Sequence, residues 1–395
     1  MNISDRFDWK RITPSDGHYF FGYYDRCPWN RDQTLHLALK IPQLDRLPRR
    51  GETADIGVTD LNGNYQHLTT TRCWCHQQGA MTLWLLHRPD CFIYNDYDPD
   101  SDRLLARIWQ LGKGIVGHYD MPIYALSPDG RWGVSLNFAR IPRRGYSHAD
   151  AVLPPNMCPD LDHDGLFLVD MHSGDISLLV SYRQMFDIHP VPYGLDDVYI
   201  WLNHAIFNCD GSRILWLFRH CHNQFQPQWQ TYMYTVGIHG EELQCPLPHV
   251  YWNGAISHQI WGRTPREILI DAKWRGNNVD YVVFDESHLP LQAHLISKGF
   301  GVMGHTIFSP DGKWLLADTY PDADSTQHLA LVNAQTGDLI RLGRFCHRKP
   351  AGYPVDVRND LHPRWSRDGK IVTVDSIHDI ERGIYALDVS AIVGD

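Results

Sequence analysis

The 395-residue sequence has no apolar run able to cross a bilayer: stretches such as Met81–Leu86 fall far short of the roughly 18 residues required. Its first residues, Met1 to Arg6, lack both the basic start and the apolar core of a secretory signal. The expectation is a cytoplasmic protein with no membrane partner. Cysteines number nine, an odd count with no CxxC pair, so neither a disulfide framework nor a zinc ribbon is indicated. A formal charge of −10 provides no excess of Lys and Arg, which disfavours non-specific binding to nucleic acid. Any anionic substrate must therefore meet a local cationic pocket. Also missing are a GxSxG elbow, a P-loop and an HExxH helix. The GxGxxG string at Gly112–Gly117 is not followed by a helical pattern, so a dinucleotide site lacks its context. Cys73, Cys75 and His76, and likewise His220-Cys221-His222, are too closely spaced on a strand to supply a full ligand set from one face.

What remains is a chain with 43% hydrophobic and 21% charged residues, the balance of a packed protein. It is rich in aromatics, at 12%, and carries 23 histidines. One turn recurs along it. Ser127-Pro128-Asp129-Gly130, Asn208-Cys209-Asp210-Gly211, Ser309-Pro310-Asp311-Gly312 and Ser366-Arg367-Asp368-Gly369 each lie between short apolar or alternating runs. Each predicts a β-hairpin, with Gly supplying positive φ. Asn30-Arg31-Asp32-Gln33 and Gly262-Arg263-Thr264-Pro265 read as degenerate copies. A third strand follows, as in Gly165–Asp170, Leu329–Asn333 and Ile384–Asp388. Four antiparallel strands in about 50 residues make one propeller blade. The units fall at 13–70, 71–115, 116–190, 191–248, 249–298, 299–345 and 346–395. The sequence thus predicts an all-β, seven-bladed β-propeller, residues 1–395 forming one domain. The last unit runs out after three strands, and Phe7–Ile12 has no partner of its own, so it is expected to close the ring. Insertions at 141–164 and 181–197 interrupt the period, and long loops on a rigid ring are usual places for function.

Four units place a histidine just before the turn: His204, His258, His305 and His362. Equivalent positions on innermost strands converge at one mouth of the channel, which predicts a ring of imidazoles. Such a ring makes either an open site for a divalent ion or a set of struts between blades. In the third unit Tyr124 stands near the same register, and Arg140 ends the next strand as it returns to that mouth. A guanidinium beside a phenol lowers its pKa and grips a carboxylate; the alternative is a buried aromatic with a surface Arg. His76 and Gln78 precede a strand and are expected to face the channel, while Asn95 and Asp96 end the strand that follows.

Several blocks together resemble the β-propeller polysaccharide lyases, a group that includes ulvan lyases and, more distantly, oligogalacturonate lyases. They are Gln78–Trp84, Tyr94-Asn95-Asp96, Pro122–Arg140, Asn203-His204, Gly304–Gly312, Asp318–Asp322 and Asp360–Gly369, and they span nearly the whole chain. The SPDG turn is shared with other propellers; the Tyr-to-Arg and DLHPRWSRDG blocks are more specific. The resemblance implies β-elimination at a uronic acid, in which a base removes the C5 proton and an acid protonates the leaving 4-oxygen. By similarity to ulvan lyases, Arg140 neutralises the carboxylate, Tyr124 is the base, and His76 and His204 assist. Gln78, Asn95, His258 and Arg364 are expected to bind substrate. By similarity to oligogalacturonate lyases, His305 and His362 match two metal-ligand positions. Asp360 stands where that family has a further His, and Val357 where it has Gln, so Asp360 offers an oxygen ligand instead.

The expectation is a lyase acting on an anionic, uronate-containing oligosaccharide. A divalent metal (zinc, manganese or calcium) is expected among His204, His258, His305 and His362, with no organic cofactor. Two other readings stand beside it, a non-catalytic glycan- or protein-binding propeller and a metal-dependent glycan hydrolase.

Overall fold

The repeated turn is built as its residues require. In the computed structural model, Ser127 Oγ donates to Asp129 at 2.5 Å, its oxygen accepts the Trp132 N–H at 2.9 Å, and Gly130 takes φ 71°. Ser309 with Asp311 and Ser366 with Asp368 repeat the arrangement, Gly312 and Gly369 lying at 71° and 73°. In the degenerate copy, Asn30 Oδ1 accepts the Thr34 and Leu35 N–H groups while Gln33 takes the left-handed position at φ 59°. The structure describes residues 7–394 apart from 142–144, 149, 152–157, 190–197, 223–228, 248–257, 275, 289–290, 349–356 and 380.

These turns join seven antiparallel sheets into a seven-bladed β-propeller. The innermost strands are His18–Phe20, Leu83–Trp84, Ala125–Leu126, Tyr199–Phe207, Ile260–Trp261, Thr306–Phe308 and Arg364–Trp365. The closing strand is Lys10–Arg11, where Lys10 faces Ala386 and Arg11 faces Tyr385 on the last blade. Trp9 reaches the sixth blade, its indole N–H donating to the Leu342 carbonyl at 3.1 Å. The N-terminal segment thus both completes the seventh sheet and ties it to its neighbour.

Three details differ from expectation. Among the described residues the fourth blade has three strands, and its outer edge is met only by a bridge from Thr235 to Gln244. The outer strands of the second and fifth blades run past 115 and 298, to Tyr119 and Gly301, with register shifts that absorb the extra length. The second insertion opens with a helix, Tyr182–Ile188, started by a capping box between Ser181 and Gln184.

Apolar faces of successive blades pack on each other, as where Leu315, Ala317 and Val332 of the sixth meet Ile268 and Ile270 of the fifth. Each buried Leu, Ile or Val there contributes about 1.5–3 kcal/mol. Tryptophans ending inner strands add directional ties: Trp84 donates to Pro28 O and Trp261 to Ile206 O. Among the described residues no helix is long and apolar enough to cross a membrane.

Candidate active site

The four histidines do converge at one mouth of the channel. His258 and His305 have ring centroids 4.3 Å apart, and His305 and His362 4.5 Å. His204 and His362 hold φ of 54° and 43°, a conformation costly for a side chain with a Cβ. For His204 it coincides with a register break after Asn203. Two residues absent from the sequence reading fill the axis between them. Tyr23 packs 5.0 Å from His204 and 4.9 Å from His362, while Tyr24 packs 5.0 Å from His305. The consecutive tyrosines after the first inner strand carried no repeat signal, because the other blades have no equivalent.

Each imidazole has a different electrostatic setting. His305 Nδ1 lies 3.0 Å from Asp318, whose carboxylate also accepts the His305 backbone N–H at 2.6 Å. Burial pushes its pKa down, but Asp318 outweighs that and the net shift is upward. Nε2 is left directed away from Asp318, as in a carboxylate–histidine–metal arrangement. His258 has Nδ1 3.6 Å from Asp271, and its Nε2 meets the Tyr320 hydroxyl at 3.0 Å. Burial, reinforced by His305, lowers its pKa. His204 and His362 are driven well below the ordinary value by burial.

His362 is the telling member. Fully buried, its two ring nitrogens have no hydrogen-bond partner among the described residues. A buried polar atom left so costs about 1–3 kcal/mol unless something binds it. Ligand atoms of His305, Asp360 and His362 lie within 4.8 Å of one another, the one such group among the described residues. Burial raises the Asp360 pKa, but Arg358, bonding it through Nε at 2.8 and 3.1 Å, brings it below the ordinary value. Two nitrogens and an ionised carboxylate suit a divalent cation, so these residues fit the metal that the sequence led us to expect. His204 and His258, also expected as ligands, instead face the hydroxyls of Tyr23 and Tyr320.

Above this group lies a cavity of about 230 Å³ whose wall includes Gln78, His204, His258, His305, Tyr320 and Asp360. Arg219 and Arg358 bring two cations to it, and Trp229 adds an aromatic face.

Other expected site residues lie elsewhere. Tyr124 is fully buried and is not among the residues lining this cavity. Its hydroxyl donates to Asn203 Oδ1 at 2.9 Å and accepts from Gln78 Nε2 at 2.6 Å and the His204 N–H at 3.1 Å. Burial raises its pKa, and the cation over its ring is Arg26, at 5.7 Å. Arg140 ends a 3-10 turn, Phe138–Arg140, that carries it to the fourth blade. There its Nε donates to Ile200 O at 2.9 Å and its guanidinium covers Tyr199 at 5.4 Å. His76 meets the Arg46 carbonyl at 2.8 Å while its neighbours Gln77 and Gln78 take the cavity wall; burial lowers its pKa to about 4. Asn95 bonds both main-chain groups of Ile123 in the next blade. Arg364 forms a buried bidentate pair with Asp375, at 2.7 and 3.0 Å. These two are struts between elements.

The sequence reading also passed over Arg219, Arg358, Asp271 and the roles of Asp318 and Tyr320. Only the last two carried a signal: the string Asp318-Thr319-Tyr320 leaves the strand Trp314–Asp318 with alternate residues on one side.

No protein-family model matches the sequence, and no curated protein does. Among solved structures, an oligogalacturonate lyase in complex with manganese is 16% identical with a TM-score of 0.62, covering 98% of this chain and 96% of that one. An oligogalacturonate lyase from Vibrio parahaemolyticus is 14% identical, TM-score 0.60, with the same coverage. The tricorn protease matches 95% of this chain over 34% of its own, at 10% identity and a TM-score of 0.54. These likenesses bear on the oligogalacturonate-lyase side of the resemblance and not on ulvan lyases, and at such identities they show a shared propeller fold.

Proposed function

We propose that this protein is a lyase that cleaves uronate-containing oligosaccharides by β-elimination, with a divalent cation held by His305, His362 and Asp360. The observation that carries the reading is the His305–Asp360–His362 group, with its orphaned imidazole, beneath a cavity walled by Arg219 and Arg358. The bound cation would supply positive charge opposite the uronate carboxylate. Manganese in a structure of the same fold supports this assignment.

Elimination is slow because the C5 proton is weakly acidic. Neutralising the carboxylate stabilises the charge that develops as this proton leaves. Arg358 and Arg219 contribute to that neutralisation, a role expected of Arg140. His258 is the base: burial lowers its pKa, which favours the proton-accepting form, and its ring lines the cavity. The role expected of Tyr124 thus passes to an imidazole that lines the cavity. Tyr124 supports Gln78 and the His204 backbone from below.

The test joins metal and product. Protein purified without chelators and loaded with manganese should hold one ion per chain by elemental analysis, and His362→Ala should hold markedly less. Incubation with uronate oligosaccharides should release an unsaturated, ultraviolet-absorbing sugar. New reducing ends without that absorbance would make the protein a hydrolase instead. Binding with neither product would make it a glycan-binding propeller.

A further inference from the structure

The first insertion, residues 141–164, borders two separate hollows. Its Gly145 and Tyr146 line the cavity of the imidazole ring, while Asp150, Asp160, His163 and Asp164 line a second cavity of about 530 Å³ between the second and third blades. The two share no lining residue. The second has the size of a small-molecule site, for which roughly 300–1,000 Å³ is usual. Leu104, Met121, Pro122, Leu136, Phe138 and Phe167 give it an apolar wall.

Five carboxylates also reach this cavity, and four of them have basic partners. Arg50 lies 2.9 Å from Asp102, Arg103 2.8 Å from Asp120, Arg72 2.8 Å from Asp150 and His163 3.1 Å from Asp160. Asp164 is the exception. Among the described residues its carboxylate accepts from two neutral donors, one on each oxygen: the Asn137 amide at 2.9 Å and the Gly165 N–H at 2.8 Å. A carboxylate offers about four acceptor positions, so two stay open. Burial pushes the Asp164 pKa up against those donors and against Arg140, whose Nε is committed to Ile200 O. The chain has thus partly desolvated a charge without pairing it. The residue is also held in place: its N–H donates to Asp160 O and its carbonyl accepts the Tyr182 N–H, both at 3.0 Å.

We propose that this cavity binds an organic cation, a primary ammonium carried on an aromatic or branched apolar body. The ammonium pairs with Asp164 and the body packs against the apolar wall that includes Phe138 and Phe167. Other occupants fit less well. An anion would meet five carboxylates, and a neutral molecule would leave Asp164 unpaired and drier than before. A bare metal ion needs several oxygen ligands, whereas the other four carboxylates are already engaged. The site is independent of the lyase reading.

The experiment is a ligand-observed NMR titration of the full chain at about 0.15 M salt, where exposed rim charges are largely screened. Three probes of similar shape are compared: phenethylammonium, 2-phenylethanol and 3-phenylpropionate. Wild type should bind the ammonium with a Kd of about 1 mM or tighter, the alcohol at least about ten-fold more weakly, and the carboxylate more weakly still. Asp164→Asn should bring the ammonium to within about two-fold of the alcohol and leave the alcohol as in wild type. Asp120→Asn, which removes a rim charge already paired with Arg103, should keep the preference. Phe167→Ala should weaken ammonium and alcohol alike, by about five-fold or more. Thermal melts check that each variant is folded, and if Asp164→Asn is not, Phe167→Ala decides: unchanged affinity for the ammonium overturns the proposal. So would the absence of an ammonium preference in wild type, or a preference that survives Asp164→Asn. Equal losses in Asp164→Asn and Asp120→Asn would reduce the effect to diffuse attraction by an acidic surface, which also overturns it.

Discussion

Closure by the N-terminal segment makes Trp9 a sensitive point for the whole ring. Its indole is 8% exposed, stands edge-on to Phe345 with centroids 5.3 Å apart, and donates to Leu342 O. It packs in the cluster that holds Leu316, Leu329 and Leu342 of the sixth blade with Val372, Val374 and Tyr385 of the seventh. Trp9→Ala removes this burial and leaves a cavity, a change that costs about 3–5 kcal/mol. Trp9→Phe keeps most of the apolar contact and loses the indole hydrogen bond, at about 1 kcal/mol. Urea unfolding reads both as a fall in midpoint, with the slope unchanged if unfolding remains cooperative. The alanine variant should therefore lose several times as much as phenylalanine. Removal of residues 1–12 should do more, because it also strips Ile12 and uncovers the sheet edge at Tyr385 and Ala386. A Trp9→Ala cost below about 1 kcal/mol, or equal costs for the two variants, would show that the segment rests on the ring without fastening it.

Arg364→Met should destabilise the fold by about 3–5 kcal/mol, since it leaves Asp375 charged and buried; the same unfolding assay checks it, and a change in KM alone would return Arg364 to the substrate. Tyr124→Phe strands the Gln78 amide N–H, while the His204 N–H keeps its bond to Asn203 Oδ1, and should cost about 1–3 kcal/mol in that assay. Burial holds His76 and His148 at a pKa of about 4, below the unfolded value near 6.5. The unfolded chain therefore binds protons first as pH falls, and each residue withdraws up to about 3 kcal/mol between pH 6.5 and 4. His148→Gln should flatten the stability profile in that window, as measured by urea midpoints at successive pH values; an unchanged profile would refute the assignment.

The propeller was legible because its information is local and repeated. Ser, Asp and Gly at fixed offsets close each hairpin through their own side chains and φ preference, and alternation fixes which face is buried. The four histidines were legible for the same reason: one register on equivalent strands leads to one mouth. Sequence could not resolve side chains whose direction depends on a bulge, a cap or another blade. A 3-10 turn after Asn137 carries Arg140 to Tyr199, although its strand runs toward the mouth. Tyr124 keeps the register but its hydroxyl is taken up by a buried cluster with Asn203, Gln78 and the His204 N–H. His76 and Gln78 take different surroundings, one at a loop carbonyl and one at the cavity wall. Asp360, Arg358, Tyr320 and Asp271 come from three different blades or their connections, and no spacing links them. By itself the sequence determined the number of blades, the strand that closes them and the imidazole ring, because periodic chemistry fixes backbone register. Only the tertiary structure decided which imidazole lacks a partner and which faces a phenol or a carboxylate, because those pairings form across blades once the ring has closed.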